Sequence, residues 1–112
     1  MMCRAIITTA LIVCTQACAA QQRVTNDDIA ATRAADITRT YGLSTDATEC
    51  LLFDTADKGE FFLVRVRENH TQACGGVAGV SPTLFFLKMR KRDGYTVTTA
   101  YDSEHYLPLK HR

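Results

Sequence analysis

Five residues in the stretch ENHTQACGG, positions 68–76, have side-chain types and a spacing that suit chemistry: Glu68, His70, Cys74, Gly75 and Gly76. An acid, an imidazole and a thiol in this order are the parts of a nucleophilic site. A thiolate at Cys74 would attack, His70 would take its proton and Glu68 would orient the ring. Two other chemistries compete for the same residues. Cys50, His70 and Cys74 supply sulfur and nitrogen ligands for zinc, with His105 or His111 as a fourth donor. Alternatively, Cys50 and Cys74 pair as a disulfide, and the thiol is no longer available to either. The glycine pair does not make a phosphate loop, since no lysine followed by serine or threonine comes after it. Asp54, Asp57 and Glu60 lack the long oxygen-ligand pattern of an EF-hand and read as a polar turn.

The compartment decides among these, and the beginning of the chain indicates one. Arg4 precedes an apolar run, Ala5 to Val13, and then small residues at Ala17, Cys18, Ala19 and Ala20. That order predicts a signal peptide over residues 1–19 with cleavage after Ala19. The segment TQAC also has the form of a lipoprotein signal ending at residue 17, which would leave Cys18 as an acylated first residue and a lipid attachment to the membrane. With ordinary cleavage, Cys50 and Cys74 are the two cysteines that remain. In a small exported domain, a pair of cysteines is expected to be oxidised to each other. The bridge removes the nucleophile and the zinc ligands together, so no catalytic residue, metal or cofactor is assigned.

The remainder, residues 20–112, reads as a single small exported domain. Without Arg4 it carries 12 basic and 12 acidic residues. A formal charge of zero gives nucleic acid no long-range attraction.

The elements that must position the loop follow from periodicity. Ala30, Ala34, Ile37 and Tyr41 recur at helical spacing, with Thr25 as the expected N-cap, Asp27 and Asp28 in the first turn and Gly42 as the stop. Strands are expected near residues 49–55, 60–69, 83–91 and 95–102. The turns ADKG, 56–59, and KRDG, 91–94, join the first strand to the second and the third to the fourth. Phe62, Val64 and Val66 alternate with Phe61, Leu63, Arg65 and Arg67, the pattern of a half-buried strand. The expected fold is α+β, one N-terminal helix packed on a four-stranded antiparallel meander. Tyr106, Leu107 and Leu109 are expected to dock as a short tail.

The segments FFLVRVRENHTQACGG and SPTLFFLKM resemble part of a group of small bacterial periplasmic proteins and lipoproteins in which a strand, a histidine-to-cysteine-glycine-glycine loop and an aromatic strand follow one another. Some small exported proteins of this style are immunity proteins, and the resemblance implies a noncatalytic role with a protein partner. In that pattern aspartate and proline follow the glycines, where this chain has Val77 and Ala78, and an arginine precedes the second strand, where it has Thr83 or Leu84.

The functional expectation is therefore a periplasmic binding or inhibitory protein whose partner is a periplasmic or delivered protein. Its candidate contact residues are Phe61, Leu63, Arg65, Arg67 and His70. A cell-envelope structural or assembly lipoprotein is the alternative, and a small Cys/His hydrolase a more remote one.

Overall fold

The computed structural model describes residues 22–111. Helix α1 spans Asp27–Thr40. A 3-10 turn at Thr48–Cys50 leads into β1, Leu51–Asp57, followed by β2, Phe61–Glu68, β3, Thr83–Arg90, β4, Thr96–Thr98, and β5, Leu107–Pro108. The strands pair in sequence order, each antiparallel to the next. The class is α+β, with five strands among the described residues rather than the four expected.

The helix begins one residue later than its sequence suggests. Asn26, not Thr25, is the N-cap: its side-chain oxygen accepts the Ile29 N–H at 2.9 Å while its own backbone is extended. Val24 explains the offset, being buried at 1% exposure with its N–H donating to the Lys91 carbonyl, which fixes where the chain enters the helix. The expected stripe does face inward. Ala30 and Ala34 are fully buried, Ile37 nearly so, and Tyr41 packs partly against the core. Two alanines in succession along this face let α1 lie close over β1 and β2.

The inner face of the sheet supplies the other half of the core. Phe62, Val64 and Val66 from β2 meet Phe85, Leu87 and Met89 from β3, and all six are at most 4% exposed. The register sets Phe62 opposite Met89 and Val64 opposite Leu87. Alternation in two adjacent strands thus becomes one continuous apolar layer. At the first hairpin, Gly59 has φ of 95°, a left-handed conformation that lets its N–H fold back to the Asp57 carboxylate at 2.9 Å.

The expected fourth strand, 95–102, shortens to Thr96–Thr98. Its threonines explain this, because beyond Thr98 the Thr99 N–H still donates to the Phe86 carbonyl at 3.1 Å but the return bond of the ladder goes to a hydroxyl. The Thr99 hydroxyl accepts the Phe86 N–H, and the Thr98 hydroxyl donates to the Phe86 carbonyl and accepts the Ala100 N–H. The chain then turns and returns, so that Leu107 and Pro108 pair with Thr98 and Val97. Proline is tolerated there because β5 is an edge.

Candidate functional site

The loop between β2 and β3 is anchored at several points. The Cys50–Cys74 disulfide is present, with 5.6 Å between the α-carbons. Beside it, the Asn69 N–H donates to the Cys50 carbonyl at 2.9 Å. At the far end, the Ser81 hydroxyl donates to the Glu68 carbonyl at 2.6 Å and the Glu68 N–H donates to the Pro82 carbonyl at 3.0 Å. The register shift between Val66 and Arg67 turns the start of β3 so that Ser81 also accepts from the Arg67 guanidinium at 3.0 Å.

Glu68 and His70 come together as their spacing suggests, with the imidazole Nε2 2.7 Å from the carboxylate. The other ring nitrogen, Nδ1, lies 2.8 Å from the Val77 carbonyl. The His70 side chain is only 13% exposed, and its ring lies against Gly76, where an added Cβ would sit 2.6 Å from the ring carbons. Gly76 also has φ of 87°, so the position requires glycine for space and for backbone conformation alike. With both nitrogens engaged and Cys74 held in the bridge, the acid and the imidazole are in contact but no thiol accompanies them. Among the described residues no group of three metal-ligating side chains converges. Asp54 and Asp57, weighed for calcium, are instead paired with arginine and lysine.

Both acceptors facing His70 are oxygens, so holding both bonds at once takes the imidazolium. The hydrogen bond to Glu68, then that to Val77, and a smaller contribution from the Asp46 charge raise the His70 pKa above the usual 6.5. The folded protein therefore binds this proton more tightly than the unfolded chain. The contribution to stability is complete below the unfolded value of about 6.5 and is lost as pH rises through the higher folded value. Amide exchange across residues 71–80 is expected to quicken beyond the intrinsic chemical rate as pH rises above about 6.5 and through the higher folded value, and His70→Gln should abolish that excess. An excess unchanged in the variant would assign the loosening to another group.

The second feature is the sheet face that α1 leaves uncovered. Phe61, Leu63, Arg65 and Arg67 project from it, as their alternation predicts. The register places Phe61 opposite Arg90, Leu63 opposite Lys88 and Arg65 opposite Phe86, and Lys88 opposite Val97. The result is a mixed surface of aromatic, aliphatic and cationic groups. Lys88 Nζ lies over two rings, 5.0 Å from the centre of Phe61 and 4.7 Å from that of Tyr106. No protein-family model, curated protein or solved structure matches the chain.

The two arginines differ. Arg67 forks onto Asp54, with Nε at 2.6 Å and Nη2 at 3.3 Å, besides its bond to Ser81, and its side chain is 24% exposed. Arg65 makes one longer contact to Asp54, at 3.3 Å, and is 47% exposed. The Arg67 bond, followed by that of Arg65, holds the Asp54 carboxyl below the usual carboxylate range. Arg67 is thus largely committed to tying β1, β2 and the loop together, while Arg65 retains more freedom. Phe86, Lys88 and Val97 join this face through strand pairing and Tyr106 through its contact with the Lys88 ammonium, neighbours that one strand's alternation does not reveal. Cys18 and the signal segment lie outside the described residues.

Proposed function

We propose that this chain is a noncatalytic binding protein of the bacterial periplasm that inhibits a protein partner, in the manner of an immunity protein neutralising a delivered toxin. The observation that carries the reading is the uncovered sheet face, where Phe61, Leu63 and Phe86 stand among Arg65 and Lys88. Aromatic and arginine side chains are the types that anchor protein interfaces, and the cations favour an acidic partner surface. The stapled loop borders this face through Arg67 and Ser81. His70 belongs to the surface through the loop conformation it maintains, since its ring is largely enclosed. The assignment of no catalysis is supported by the engagement of Cys74 in the bridge and of both His70 nitrogens.

The test is protection. Cells lacking the protein should become sensitive to neighbouring attackers, and the purified protein should suppress the toxin stoichiometrically without turnover. Phe61→Ala combined with Arg65→Ala should weaken that binding at least about 30-fold, the loss expected for interface anchors, while unfolding stability changes little. Equal resistance after deletion, with no envelope or delivered protein bound, would sink the reading.

The TQAC segment favours a second reading, an envelope structural or assembly lipoprotein tethered through Cys18. Impaired envelope integrity in isolated deletion cells, with a lipid-modified Cys18 in place of a free Ala20 at the mature N-terminus, would give it precedence.

A further inference from the structure

A strand inside a sheet uses both rows of its backbone donors and acceptors, whereas an edge strand has one row left over. The two edges of this sheet differ. β5 has two residues and includes Pro108, which has no N–H to offer. β1 has seven residues, Leu51 to Asp57, without proline, lysine or arginine, and its ladder to β2 runs with no register shift. Of the devices that blunt an edge it has only the charges of Asp54 and Asp57, and these are paired with Arg67 and Lys91 of the same chain.

The bonds flanking the ladder identify the free row. The Asn69 N–H donates to the Cys50 carbonyl and the Lys58 N–H donates to the Phe61 carbonyl, each at 2.9 Å. With Leu51 opposite Glu68 and Asp57 opposite Phe62, it follows that Leu52, Asp54 and Ala56 direct their backbone groups toward β2. Phe53, Thr55 and Asp57 direct theirs outward, and no described residue hydrogen-bonds to them. At the start of the strand, the Leu51 N–H is already taken by the Thr48 carbonyl.

We propose that this edge pairs with the same edge of a second copy of the chain, making a symmetric dimer with a continuous sheet. The strand is complementary to itself about a twofold axis at Thr55. There Thr55 meets Thr55 of the second copy, Phe53 meets Asp57, Asp54 meets Ala56 and Leu52 meets Lys58. The outward rows face each other, enough for about six hydrogen bonds. Threonine opposite threonine is a favourable cross-strand pair, and no like charges are opposed. An axis at Asp54 would set that carboxylate against its own copy, and an axis at Phe53 would set Asp57 against Glu49 and require the occupied Leu51 N–H. The dimer is independent of the inhibitory reading; where both hold, it sets two copies of the Phe61 face on the same side of one sheet.

Thr55→Pro is the direct test, because it removes one outward N–H and leaves the β1–β2 ladder untouched. Sedimentation of the purified chain with its bridge intact should show a concentration-dependent dimer, retained in Thr55→Val. In Thr55→Pro the dissociation constant should rise at least about tenfold. Amide exchange in the wild type gives a second readout should Thr55→Pro not fold: the Phe53, Thr55 and Asp57 amides should slow as protein concentration rises. A wild-type monomer at every concentration overturns the proposal. So does a dimer whose Phe53, Thr55 and Asp57 amides exchange independently of concentration. Protection of those amides only on adding another protein would assign the edge to a foreign strand and also overturn it.

Discussion

Removal of the Cys50–Cys74 bridge, by Cys74→Ser or by reduction, is expected to lower the unfolding free energy by about 3–4 kcal/mol, in the chain-entropy account of a loop this long. The linked cysteines are 24 positions apart and the segment between them contains β1, the first hairpin and β2. The bridge therefore restricts a large share of the unfolded chain. Because small domains have about 5–15 kcal/mol of stability in total, the loss should appear as a large fall in denaturant midpoint. The loop itself should become accessible to protease, although His70, Ser81 and Arg67 still tie its two ends. A midpoint shift below about 1 kcal/mol would mean that those ties, rather than the covalent constraint, hold the region. Cys50→Ser with Cys74→Ser should match either single variant, since each removes the same bond.

Phe62→Ala is expected to cost about 3–5 kcal/mol, and its neighbour Phe61→Ala no more than about 1 kcal/mol. The difference comes from the pleat. Phe62 is 2% exposed and faces Met89 beneath α1, so truncation leaves a cavity in a closely packed layer. Phe61 lies on the opposite face under the Lys88 ammonium, where water can fill the space left by the ring. Chemical denaturation of both variants, alongside partner binding, separates the two roles: Phe62→Ala should change stability most, Phe61→Ala binding most. Equal destabilisation would place Phe61 in a packed environment and remove the leading anchor from the proposed interface.

Several features were legible without coordinates because they depend on neighbours close along the chain. The Ala30, Ala34 and Ile37 stripe is a 3.6-residue repeat, and the separation of Phe62, Val64 and Val66 from Phe61, Leu63 and Arg65 is a two-residue repeat. Glycine after a polar turn residue marked the 56–59 and 91–94 reversals. The Cys50–Cys74 pairing followed from a count of cysteines made once export was assumed.

What tertiary structure decided lies between residues far apart in sequence. The anchoring of Val24 to Lys91 moved the helix cap from Thr25 to Asn26. Hydroxyl bonding to Phe86 ended β4 early and returned the tail as β5. Arg65 and Arg67 look alike in a two-residue repeat, yet Arg67 alone reaches both Asp54 and Ser81, through a register shift that local pattern does not encode. The outward row of β1 likewise emerges only when the ladder partners are known. Periodicity determines which face a side chain takes, because that is a property of one backbone. Pairing and register determine what it meets there, because those depend on how several strands share a limited set of hydrogen bonds.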